Sequence, residues 1–134
     1  MDYLFDTSAV SALLKQNKSI VKRINDITDK GEKIFISVIT SYEVKRGIFA
    51  ANATKKLEYY ETLCQQYEIL WIDNLEISQK AAEIHAHLKQ RGQPIQDADI
   101  FIAATALSKN LTVVTTDKHF WRIPNLKVEN WLIE

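Results

Sequence analysis

Short unbroken apolar runs alternate along this chain with longer stretches in which apolar residues recur every three or four positions. The runs are Tyr3-Leu4-Phe5, Lys33 to Val38, Ile69 to Ile72 and Leu111 to Val114, and each reads as a strand. IFISV in the second is continuous enough to be buried on both faces. Helical spacing fills the intervals. Val10, Leu13 and Leu14 mark a first helix, and Ile20, Ile24 and Ile27 mark a second over Ser19 to Asp29, stopped by Gly31. Thr40 to Phe49 and Thr54 to Tyr67 follow, the latter carrying Leu57, Tyr60, Leu63 and Cys64. A long amphipathic helix over Leu75 to Arg91 buries Ile77, Ala81, Ile84 and Leu88 and ends at Gly92. The last helix opens on Asp97 and Asp99, stays slim through Ala103, Ala104 and Ala106, and ends at Lys109-Asn110. KHFWRIPNL then reads as a loop or turn of helix, and Val128 to Ile133, with Trp131, as a final strand or extended tail. This order predicts an α/β fold: a parallel twisted sheet of four to five strands covered on both faces by helices, in one domain over residues 1–134.

Composition narrows the class. Hydrophobic residues make up 46% of the chain and charged residues 25%, with 3 Gly and 2 Pro, the profile of a packed domain rather than a disordered one. Lys plus Arg balance Asp plus Glu at 17 each, so only local clustering can argue for a nucleic-acid partner. Lys45, Arg46, Lys55 and Lys56 form the best such cluster. Cys64 is the only cysteine, which excludes an intramolecular disulfide and a thiolate zinc site. MDYLFDTS is too short and acidic for a signal peptide, and no apolar run reaches the ~18 residues of a membrane span, so a cytoplasmic protein is expected.

The acids carry the chemistry. Asp6 ends the first strand, Asp117 follows the fourth, Glu43 stands in the helix after the second, and Asp99 opens a helix. Helix N-termini and strand carboxyl ends share one edge of an open α/β sheet, where ligands bind. Local readings exist for each. Asp6 suits a helix N-cap, Thr40-Ser41-Tyr42-Glu43 fits a capping box with Glu43 in the first helical turn, and Asp97 suits an N-cap that leaves Asp99 facing the edge. Yet four carboxylates gathered at one edge repel unless protonated or neutralised by a cation. Oxygen-only ligands suit Mg²⁺ or Mn²⁺, and phosphodiester hydrolysis is the matching reaction class. His85 and His87, two apart on a helix, point away from each other and cannot share an ion.

Four segments, LFDTSAVSALL, ISVITSYEVKRGI, PIQDADIFIAATAL and VVTTDKHFWRIPNLKVENW, in this order and spacing, resemble the PIN-domain ribonucleases, and among them the VapC-type toxins of bacterial and archaeal toxin–antitoxin pairs. The resemblance spans essentially the whole chain. It implies a Mg²⁺- or Mn²⁺-dependent endoribonuclease whose metal-binding acids are Asp6, Glu43, Asp99 and Asp117. Thr115 stands where the family often has a hydroxyl that supports the site; from the residues themselves Thr7 and Asp97 are further supporting candidates, and Lys45, Arg46 and Lys118 candidate RNA contacts. The resemblance further implies a homodimer, with apolar residues of Thr54 to Tyr67 to spare for pairing, and a cognate antitoxin as partner. Gln96 stands where many relatives have Gly, a departure with no evident effect on the acids.

Other classes fit less well. A nuclease-inactive PIN domain that only binds RNA or protein would not need all four acids, and a housekeeping RNA-processing nuclease would share them. A phospho-signalling receiver wants paired acids after its first strand, where Asp6 is followed by Thr7 and Ser8, and would leave Asp73 as its acceptor. A haloacid-type phosphatase needs a second Asp where Ser8 stands.

Overall fold

Three-residue strand β1 (Tyr3–Phe5) lies at the centre of the sheet, with β2 (Ile34–Ser37) on one side and β4 (Thr112–Val114) on the other. In this computed structural model, which describes residues 1–132, the strand order is β3-β2-β1-β4-β5, and every neighbouring pair is parallel. The edges are β3 (Glu68–Leu70) and β5 (Val128–Glu129). Because the chain moves outward from β1 to β2 and β3, then crosses to β4, the switch point falls between β1 and β4. Phe5 is in register with Ile36 and with Val114, so the three central strands finish level. The segments leaving these strands therefore emerge at one place.

Alternation along β1 divides the core. Tyr3 and Phe5 face α1 (Thr7–Leu14), α2 (Lys18–Asp29) and α4 (Thr54–Cys64), through Val10, Leu13, Ile20, Ile27, Tyr60 and Leu63. Leu4 faces α5 (Leu75–Gln90) and α6 (Asp97–Lys109), through Ile77, Leu88, Ile102 and Ala103. The expected parallel sheet with helices on both faces is therefore present. Ala103, Ala104 and Ala106 have no exposed surface, and it is their small size that lets α6 lie between α5 and the sheet. Asn110 ends α6 in the left-handed conformation at φ 55°, which Asn tolerates better than most residues.

Several boundaries differ from expectation. β2 ends at Ser37, whose side chain accepts from the backbone N–H of Ile39, so α3 (Val38–Ala50) starts before Thr40. The capping box of Thr40 and Glu43 is thus absent: Thr40 is fully buried and donates to the Phe5 carbonyl, and Glu43 lies in the second turn. The cap of α6 is Gln96, with no side-chain hydrogen bond, and Asp97 is the first helical residue, exposed to solvent. The N-cap expected of Asp97 is not formed. α4 stops at Cys64 rather than Tyr67 and buries Tyr60 and Leu63, leaving Tyr59 as its exposed large apolar side chain. The last strand is limited to Val128–Glu129. Trp131 instead packs edge-on to Tyr3 and Phe5, at ring distances of 5.0 and 5.3 Å. Ile133 lies outside the described residues.

Candidate active site

Asp6 is the most constrained of the acids. It directly follows β1, is only 3% exposed, and caps α1 by accepting from the backbone N–H of Ala9 at 2.9 Å. The local cap reading of Asp6 is correct as far as it goes. The same Oδ1 also accepts from the Ser8 hydroxyl at 2.7 Å, while Oδ2 accepts from the Thr115 hydroxyl at 2.5 Å. A carboxylate oxygen offers two lone pairs, so Oδ1 is saturated and Oδ2 keeps one position open. Burial pushes the Asp6 carboxyl above its ordinary range, opposed by the hydroxyls of Thr115 and Ser8 and the Ala9 amide.

Glu43 reaches the same edge from the second turn of α3. Thr7 donates to its Oε1 at 2.6 Å, and Arg46, one turn on, lies 3.5 Å from Oε2 and stacks over Tyr42. Arg46, expected as an RNA contact, is thus ion-paired with an acid of the cluster. Lys45 faces away, lining a depression with Tyr60 and Cys64 between α3 and α4.

Asp99 lies in the first turn of α6, half-buried, and its carboxyl is pushed up to about 6. Desolvation is the main cause, followed by the negative charges of Asp117, Glu43 and Asp6. The charges of the other three expected acids thus all bear on Asp99. Asp117 caps the 3-10 turn Lys118–Arg122, accepting from the His119 N–H at 2.9 Å, and its own N–H is held by Thr115 Oγ1 at 2.9 Å. Asp99 and Asp117 line an open cleft of about 410 Å³ with Pro94, Ile95, Gln96 and His119. Lys118 is exposed on the turn that follows Asp117, and neither it nor Asp97 is among the residues that line the cleft.

Two neighbours were not anticipated as site residues. Ser8 bonds Asp6 and accepts from the Thr116 N–H at 2.9 Å, clamping the β4 end to α1. His119 places Nδ1 3.2 Å from Asp117 Oδ1. A Ser two residues after a capping Asp was a readable signal, whereas nothing periodic in KHFWR marks the imidazole.

A sheet with acids gathered beyond its central strands is compatible with several nuclease and phosphatase families. The family model for the PIN domain matches residues 3–126. The chain belongs to the PIN-domain family. Within it, the protein is similar to "Ribonuclease VapC1" of Haemophilus influenzae, 30% identical over 98% of this chain and 98% of the relative. It is also similar to the "tRNA(fMet)-specific endonuclease VapC" of Salmonella typhimurium, 29% identical over 98% of each. Among solved structures, a chain of VapBC2 from Rickettsia felis, bound to a DNA fragment from its promoter, superposes on this PIN domain with a TM-score of 0.90. That match is 28% identical and covers 98% of this chain and 99% of the other. These are VapC-type PIN domains, as the four sequence segments indicate.

Proposed function

We propose that this protein is an endoribonuclease of the VapC type, the toxin of a toxin–antitoxin pair, which hydrolyses RNA phosphodiester bonds at the edge where Asp6, Glu43, Asp99 and Asp117 meet. What supports the reading is the set of carboxylates bearing on Asp99, whose carboxyl is pushed up to about 6 by burial first and then by the charges of Asp117, Glu43 and Asp6. The donor set fits a hard divalent cation: carboxylate oxygens from four separate segments, one open lone-pair position on the buried Asp6, and an open cleft of about 410 Å³ along Asp99 and Asp117. Asp6, Glu43, Asp99 and Asp117 would hold Mg²⁺ or Mn²⁺, which when bound activates water and stabilises a charged phosphoryl oxygen.

The chain's own residues prepare that site. Thr115 and Ser8 fix both oxygens of Asp6, Thr7 and Arg46 fix those of Glu43, and the Thr115 hydroxyl orders the backbone that presents Asp117. Thr7, Thr115 and Ser8 each hydrogen-bond an acid of the cluster, which supports giving them a positioning role. On the 3-10 turn, residues three apart eclipse, so Lys118 and Trp121 share a solvent-facing side beside the cleft. A lysine for phosphate and an indole for a base are the contacts a single RNA strand uses. The turn's inner face, Phe120 and Ile123, is buried and fixes its position.

Exposed apolar side chains bear on the partners. Tyr42 and Phe49 on α3, with Trp71 and Leu75 beyond β3, leave large apolar side chains exposed, where an antitoxin or a second copy would cover them. No helix among the described residues is long and apolar enough to cross a membrane. We place the protein in the cytoplasm, where RNA substrate is found.

Incubating the purified protein with labelled RNA, in Mg²⁺, Mn²⁺ or EDTA, tests the activity. Cleavage in either metal, its loss in EDTA and its loss in Asp6→Asn are expected. Cleavage unchanged by EDTA would overturn the metal reading, and no cleavage of any RNA would leave a binding domain. Expression alone should arrest growth, and co-expression of the antitoxin should relieve it. Sedimentation should give a dimer rather than a particle near 15.4 kDa.

A further inference from the structure

The groups at the mouth of the site that could hold an ion include an imidazole beside the carboxylates. One ligand atom each from Asp99, Asp117 and His119 can be chosen so that all lie within 4.8 Å of one another. Two atoms that each sit ~2.1 Å from an octahedral ion, at right angles, are about 3.0 Å apart. Nδ1 of His119 and Oδ1 of Asp117 are 3.2 Å apart. The imidazole is held there by its backbone, whose N–H is bonded to Asp117, and by the burial of Phe120 and Ile123 further along the turn. It is 47% exposed, as a ligand at the open side of a substrate cleft should be.

Building on the metal-dependent reading above, we propose that His119 is a nitrogen ligand of the site, completing a mixed set with the carboxylates of Asp99 and Asp117. Imidazole binds first-row transition ions well, whereas Mg²⁺ takes oxygen ligands almost exclusively. The set therefore selects Mn²⁺ over Mg²⁺. The simpler role, an imidazole that merely hydrogen-bonds Asp117, would orient that carboxylate but put no nitrogen on the metal.

The two roles separate spectroscopically, without RNA. Mn²⁺ is added to the intact protein and to His119→Ala and His119→Asp, all checked for an unchanged melting profile in the absence of metal. Electron spin-echo modulation then reads nitrogen coupled to the bound ion. Nitrogen coupling is expected in the wild type and absent in both variants. Losing an outer-shell partner alone costs a metal site about 10–100-fold in affinity, so His119→Ala should weaken Mn²⁺ binding by at least about tenfold. His119→Asp should restore binding while lowering the ratio of Mn²⁺ to Mg²⁺ affinity. Bound Mn²⁺ with no nitrogen coupling in the wild type, or the same coupling in His119→Ala, would overturn the ligand assignment while leaving the metal site standing. Failure of the wild type to bind Mn²⁺ or Mg²⁺ at all would overturn both.

Discussion

Thr115 donates its hydroxyl to Oδ2 of Asp6, although 109 positions separate the two in the chain. The bond joins the ends of β1 and β4 across the switch point of the sheet, where the Asp6 N–H also donates to the Val114 carbonyl. Removing the hydroxyl should leave a buried carboxylate short of a donor. Thr115→Val is expected to lose about 1–3 kcal/mol of stability, the usual consequence of an unsatisfied buried polar group, and to lose most RNA cleavage. Thr115→Ser should keep both. Urea unfolding and a cleavage assay on the two variants check this; equal stability of Thr115→Val and wild type would count against the role given to the bond.

Asp99 should make the protein more stable in mild acid than at neutral pH, when no divalent cation is present. Its folded pKa, about 6, lies above the ordinary carboxyl value of 3.8, so the folded state binds the extra proton between those values. Stability then falls as pH rises through that window and levels off above it. Asp99→Asn, which removes the charge, should raise the melting temperature at pH 7 by roughly 2–4 °C. The gain should shrink toward pH 4, and cleavage should be abolished. A melting temperature at pH 7 below that of wild type would contradict the repulsion.

Asp97 has a lesser part. It accepts no capping hydrogen bond, and its charge near the start of α6 is worth about 0.3–1 kcal/mol through the helix dipole. Asp97→Ala should therefore lose no more than that and still cleave RNA. An inactive, fully stable Asp97→Ala would place this carboxylate at the reaction after all.

Ser37 is the cap on which Glu43 depends. Ser37→Ala should cost about 0.5–2 kcal/mol. Thr40→Ser, which keeps the hydroxyl bonded to Phe5, is expected to cost less. Thermal unfolding of the two variants gives the comparison, and a larger loss for Thr40→Ser would mean that the cap contributes little.

Strands and helices were legible in the sequence because each is marked by a local period, and the four acids were singled out by their places at strand ends and helix starts. Asp6 shows why a local reading and a functional one need not compete: the carboxylate that caps α1 is the one Thr115 holds. Misreadings arose where a tertiary contact outweighed a local motif. Thr40-Ser41-Tyr42-Glu43 has the letters of a capping box, but β2 ends at Ser37 and Thr40 is drawn inside to the Phe5 carbonyl. His119 and the bond from Thr116 to Ser8 were hidden for a different reason. They are set by a 3-10 turn and by the docking of β4 on β1, neither of which has a repeat to read.

The pairing of β1 with β4 also sets when during synthesis the proposed site can assemble. A nascent chain ending at Asn110 already contains Asp6, Glu43 and Asp99, yet it lacks the strand that flanks β1 on its second side, the hydroxyl that holds Asp6 and the carboxylate of Asp117. No earlier segment can supply them. The ribosome must therefore release the chain through Asp117 before the four acids can be gathered, and a product that stops at Asn110 is expected to cleave no RNA.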